Sequence, residues 1–253
     1  MSNTTSNATS NTTSEARHIV KSFDQELKQL RSLIAEMGGL VENQVLLATQ
    51  AVTTQAADLA TQAVAQDAAV DAIQQRTEQL VIQMLALRQP MAGDLRQIIA
   101  AMKITSAMER IGDYAKNVAK RSIVLGQYRL PFSLTGLAAM SRMVQENLKL
   151  TIDAIGANDA EQALKAWKAD KAIDDLYNSI FRELITYMME DARSITPCAH
   201  LLFIAKNLER IGDHATNIAE TTYYAVTGQN LTEERPKGDS SAYAVVRSPE
   251  DRI

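Results

Sequence analysis

The acidic residues that could do chemistry in this chain come in repeated pairs. Glu109 and Asp113 stand at i and i+4, and the same pair returns one hundred residues later as Glu209 and Asp213. Each pair frames the pentapeptide Glu-Arg-Ile-Gly-Asp, and the match extends through residues 109–119 and 209–219, which agree at eight of eleven positions. The differences are Tyr114/His214, Lys116/Thr216 and Val118/Ile218. On a helix the two acids share one side, drifting by about 40° per step, with Asn117 or Asn217 one turn further on. Like charges at this spacing repel by a few tenths of a kcal/mol, so a compensating cation is expected, whether a metal ion, an arginine or a partner protein.

A second acidic pair recurs as well, Asp67 with Asp71 and Asp170 with Asp174. In an antiparallel hairpin turning at Pro90, Asp67 falls level with Asp113 and Asp71 with Glu109. A hairpin turning just before Pro197 does the same for Asp170 with Asp213 and Asp174 with Glu209. Four carboxylates at one level form an all-oxygen site that suits a hard or borderline divalent ion, Mg²⁺, Mn²⁺ or Fe, with Zn²⁺ also admissible. The competing reading is a solvated face on which Arg110, Lys116 and Arg210 neutralise the acids. The recurrence and the matched levels favour the cation site. Arg110 and Arg210 themselves read as local ion-pair partners of the flanking acids or as contacts to a partner.

The elements that position these acids are helices. The chain between its ends is rich in Ala, Leu, Gln, Met and Glu, and its apolar residues recur with helical period. Pro90, Pro131 and Pro197 mark helix starts, Gly126, Gly156 and Gly228 mark helix ends, and Asn158 to Glu161 reads as a capping box. Six helices follow, over roughly 15–55, 57–88, 91–125, 132–155, 159–190 and 197–227, with a kink or close helix contact expected at Gly38-Gly39. Since a repeated unit implies a repeated fold, the expected architecture is all-α, two tandem antiparallel three-helix bundles related by internal duplication. The bundles span 15–128 and 129–228, with a disordered Asn/Ser/Thr tract at 1–14 and a flexible polar tail at 229–253. Ile104, Ile111, Val118 and Leu125 define a buried seam, mirrored by Ile204, Ile211, Ile218 and Ala225, and Ile73, Leu80 and Leu87 form a stripe on the preceding helix. Glu109 and Asp113 then lie roughly 160° from Ile111, which predicts an outward-facing carboxylate patch.

The chain has 26 basic and 30 acidic residues and a net charge of −4, with no basic block, which disfavours a nucleic-acid role. The single cysteine, Cys198, fits a reducing compartment and reads as a packing residue. The start lacks the charged and apolar regions of a secretory signal, and apolar runs fall far short of the ~20 residues needed to span a bilayer, so a cytoplasmic protein without membrane insertion is expected. The sequence holds no two Glu-x-x-His motifs of the ferritin-like di-iron kind, no Walker loop and no nucleophile–base arrangement, which argues against an enzyme; a metal-dependent phosphohydrolase using the carboxylates is the alternative.

The two Glu-Arg-Ile-Gly-Asp copies, together with Met37-Gly38-Gly39-Leu40-Val41-Glu42, Arg88-Gln89-Pro90, Asp94-Leu95-Arg96 and Thr186-Tyr187-Met188-Met189-Glu190-Asp191, make the chain resemble the PhoU family of bacterial phosphate-signalling regulators over about residues 15–230. The resemblance implies paired three-helix bundles whose acidic motifs, here Glu109/Asp113 and Glu209/Asp213 with Asp67/Asp71 and Asp170/Asp174 facing them, bind metal ions in some members. It also implies a non-catalytic negative regulator of the phosphate-starvation response and modulator of phosphate uptake. Such a regulator is often a homodimer, and it couples a phosphate ABC transporter, through its ATPase subunit, to a membrane sensor histidine kinase at the inner face of the membrane.

Overall fold

A computed structural model describes residues 6–130 and 133–232, with side chains from residue 22 onward. Six α-helices account for nearly all of it: α1 (Ser6–Thr54), α2 (Ala57–Arg88), α3 (Ala92–Leu125), α4 (Thr135–Ala157), α5 (Ala160–Glu190) and α6 (Ile195–Thr227), with a 3₁₀ turn at Ala192–Ser194. No strand occurs among the described residues. Helices α1, α2 and α3 pack as one antiparallel bundle and α4, α5 and α6 as a second, as the duplication predicts.

Local chemistry explains most boundaries. Helix α2 ends where Gln89 takes a left-handed conformation ahead of Pro90, and α6 ends at Gly228, whose φ of 72° suits a residue without a Cβ. The α4–α5 corner is tighter than expected. Helix α4 runs through Gly156 to Ala157, Asn158 is its left-handed cap, and the side chain of Asp159, not Asn158, caps α5 by accepting from the amides of Glu161 and Gln162 at 2.9 and 3.0 Å. Pro197 lies inside the first turn of α6 instead of opening it. Helix α1 begins at Ser6, within the tract expected to be disordered. That tract contains neither proline nor glycine, so nothing stops a helix nucleated downstream from propagating into it. Residues 1–5, 233–253 and Pro131 lie outside the described residues.

The two bundles are fused along their length. Helix α3 packs against α6 and α1 against α4, and one continuous apolar core runs from Leu30 to Ile218 through both repeats. The predicted seams lie in it: Ile104, Ile111, Val118 and Leu125 are buried, as are Ile204, Ile211 and Ile218, while Ala225 is half-buried. Leu87 departs from its stripe. It is 65 % exposed, because one residue from the end of α2 it has run past the helices that cover Ile73 and Leu80. At the α1–α4 crossing a Cβ on Gly38 would stand 3.0 Å from Ile152 Cγ2, so this glycine sets the helix separation, whereas Gly39 has open space.

Candidate functional site

The predicted register holds. Helices α2 and α3 form a hairpin, and Lys116 Nζ on α3 donates to Asp67 Oδ2 of α2 and to Asp113 Oδ1 of its own helix, both at 2.6 Å. Asp71 and Glu109 complete the group. Burial raises the carboxyl pKa of each, and the neighbouring carboxylates raise it further, Asp67 and Asp113 for Asp71 and chiefly Asp113 for Glu109. Arg110 lies 3.5 Å from Glu109 and 3.8 Å from Asp113, largely in solvent. Lys116 and Arg110 therefore act as two of the local cations anticipated on a neutralised face. The Lys116 pKa is raised: burial works against its charge, and the hydrogen bonds it donates to Asp113 and Asp67 outweigh that.

The expectation of an outward patch is corrected. In the first repeat these carboxylates are half-buried along the α2–α3 groove. In the second they go inside: Asp170 is 0 %, Asp174 2 % and Glu209 4 % exposed, and only Asp213 is half-buried. Glycine is the physical reason. Without a Cβ at Gly212 the α5 side chains pack so close that an added one would meet Asp170 Oδ1 at 3.1 Å and Ile173 Cδ1 at 3.3 Å. Gly112 plays the same part against Gln44 Oε1 at 3.0 Å and Val70 at 3.4 Å. The Gly of the repeated pentapeptide is thus a point of tight packing in each repeat, one residue and three residues from its acids.

Within the second group Lys206 donates to Glu209 Oε1 at 2.9 Å. Burial still pushes the Glu209 carboxyl up to about 7, and Asp213 and Asp174 add to the rise against the pull of Lys206. Thr216, which stands where the first repeat has Lys116, is buried and donates to the Gly212 carbonyl at 3.0 Å. Two residues that sequence reasoning passed over belong here. Lys206 stands three residues before Glu209, an i, i+3 spacing that signals an ion pair. Gln44 is fully buried and donates to the Ala63 carbonyl at 3.1 Å, and nothing in its local sequence marks it.

Other predicted positions separate from the acids. Asn117 is exposed, and Asn217 lines an open groove between α3 and α6 with Lys103, Arg110 and His214. Arg210 lies over the Tyr114 ring, 5.6 Å from its centroid. Cys198 is buried, and desolvation raises its thiol pKa, as befits a packing residue. Of the neighbouring Met188 and Met189, only Met188 packs on the core and Met189 is exposed.

The donor chemistry is all-oxygen, yet among the described residues no three His, Cys, Asp or Glu side chains stand together in a geometry that could hold a metal ion. The set Asp67, Asp71, Glu109, Asp113, Asp170, Asp174, Glu209 and Asp213 forms two carboxylate groups at the expected levels. No described helix is long and apolar enough to cross a membrane.

Comparison with known proteins gives a uniform answer. The family model described as the PhoU domain matches residues 34–122 and again 137–222. A protein of Caulobacter vibrioides named as a phosphate-specific transport system accessory protein PhoU homolog is 46% identical over 223 residues, covering 88% of this chain and 97% of that one. Its counterpart in Zymomonas mobilis is 47% identical over 225 residues, covering 89% and 94%. Among solved structures, PhoU from Pseudomonas aeruginosa superposes with a TM-score of 0.80 at 39% identity, covering 82% of this chain and 100% of that one. The phosphate transport system regulatory protein PhoU from Streptococcus pneumoniae does so with a TM-score of 0.77 at 29% identity, covering 83% and 100%.

Proposed function

The chain belongs to the PhoU family, and from that premise we propose that it is a non-catalytic negative regulator of the phosphate-starvation response that modulates phosphate uptake. The observation that carries this reading is the match of both repeats, across nearly the whole described chain, to proteins named as accessory or regulatory components of phosphate transport. Those names are not names of enzymes, which sets aside the phosphohydrolase alternative.

The partners proposed are the ATPase subunit of a phosphate ABC transporter and a membrane sensor histidine kinase, engaged from the cytoplasmic face of the inner membrane, with a second copy of the chain as a homodimer partner. The helical architecture suits such a role. The two bundles are fused through α3 and α6, and Arg110, paired with acids but largely exposed, presents a charge that a docking protein can compete for.

Deleting the gene tests the proposal. Alkaline phosphatase should be derepressed in phosphate-rich medium, and a plasmid copy should restore repression. Expression that stays repressed in the deletion strain would falsify the regulatory role. Co-purification of the chain with the transporter ATPase and with the kinase checks the two partners separately.

A further inference from the structure

The first carboxylate group already contains a cation at its centre, and the second repeat lacks the residue that supplies it. We propose that in the first repeat the Lys116 ammonium takes the place of a divalent metal ion, so that Asp67, Asp71, Glu109 and Asp113 form a self-neutralised cluster that excludes metal.

Geometry carries the argument. The ammonium nitrogen lies 2.6 Å from one oxygen of Asp67 and 2.6 Å from one oxygen of Asp113. These contacts join the two helices at the point where a hard cation would sit, since divalent ions hold oxygen at about 2.0–2.6 Å. An ion entering there must break two charge-assisted hydrogen bonds, each about twice as strong as a neutral one, and must leave a half-buried ammonium beside its own charge. The remaining positive charge, Arg110, is an outer partner at 3.5 Å or more. Position 216, where the second repeat has threonine, sends its hydroxyl to its own helix backbone, so the second hairpin has no ammonium at that position, and its Lys206 pairs with Glu209 from one turn earlier on the same helix.

The residue at position 216 supplies the test, since Lys116→Thr imposes the second repeat's choice on the first. Mn²⁺ binding by the full-length purified chain is followed by the EPR signal of the free ion, together with the melting temperature with and without Mn²⁺. Wild type and Asp67→Asn should bind the same amount of Mn²⁺. Lys116→Thr should bind an additional equivalent and gain a metal-dependent rise in melting temperature, and adding Asp67→Asn to it should abolish both gains. Lys116→Met keeps the packed stem without the charge and is read in the same way should the threonine variant fail to fold. Less Mn²⁺ on Asp67→Asn than on wild type would show metal bound beside Lys116 and overturn the inference, as would a folded Lys116 variant with no gain. The readout is ion binding by the chain alone, so either failure leaves the regulatory reading standing.

Discussion

Tyr114 and His214, equivalent positions of the two repeats, stack on one another across the α3–α6 contact, their ring centroids 5.5 Å apart and their planes inclined at 37°. The helices run antiparallel there, with Arg121 of α3 placed over Phe203 near the start of α6, so the duplicated motifs meet close to the molecule's internal two-fold axis. Sequence divergence at this one position turns a like pair into a Tyr–His pair, with Arg210 over the tyrosine face. Aromatic pairs of this kind contribute about 0.5–1.5 kcal/mol beyond their buried area. Tyr114→Ala and His214→Ala should each destabilise the fold, and the double variant should lose less than the sum by about that amount. Urea unfolding of the four proteins measures the coupling, and strict additivity would remove the stack from the list of forces joining the repeats.

Gly38 and Gly39 are neighbours in one helix with opposite expected responses to alanine. Alanine favours a helix interior by about 1 kcal/mol over glycine, and at Gly39 nothing within 4 Å opposes that gain. At Gly38 the new methyl would meet Ile152 Cγ2 at 3.0 Å, and overpacking a tight contact costs about 1–3 kcal/mol. Gly39→Ala should therefore raise the urea midpoint and Gly38→Ala lower it or, if Ile152 rotates away, leave it near wild type. A Gly38→Ala protein more stable than Gly39→Ala would mean that this crossing is not set by glycine.

The same contact shows what a sequence can and cannot disclose. Gly38-Gly39 announces an interruption or a close contact, and the heptads of Ile104 and Ile204 announce the buried seams, because both follow from periodicity and residue size within one helix. The level of Asp67 with Asp113 was legible because a hairpin with a known turn fixes register. The burial of Asp170, Asp174 and Glu209 was not. An angle measured from one seam defines an outward direction only for a helix packed on one side, and α3 and α6 pack both on their own bundle and on each other. Lys116 was legible as a neutralising charge, but its seat between Asp67 of α2 and Asp113 of α3 depends on how the two helices pack, a tertiary fact.

Glu209 is the position where this burial should be measurable as a pH dependence. Its side chain is buried with Lys206 as its hydrogen-bonded cation and with Asp213 and Asp174 as like-charged neighbours, and its pKa is raised from 4.5 to about 7. A carboxyl with a raised folded-state pKa binds its proton more tightly in the folded chain than in the unfolded one. Its contribution to stability is therefore full below about 4.5, the unfolded value, and is lost as pH rises through about 7. The stability of wild type relative to Glu209→Gln should thus decline between those two pH values, by an amount on the order of 3 kcal/mol. The glutamine keeps the shape but has no proton to lose. Taking the difference between the two proteins cancels the same-signed contributions of Asp71 and Glu109, whose carboxyls are also raised. Urea unfolding at a series of pH values supplies the comparison. A wild-type minus Glu209→Gln difference that stays flat across the range would mean that the folded-state pKa of Glu209 is not raised, the pull of Lys206 cancelling the effect of burial.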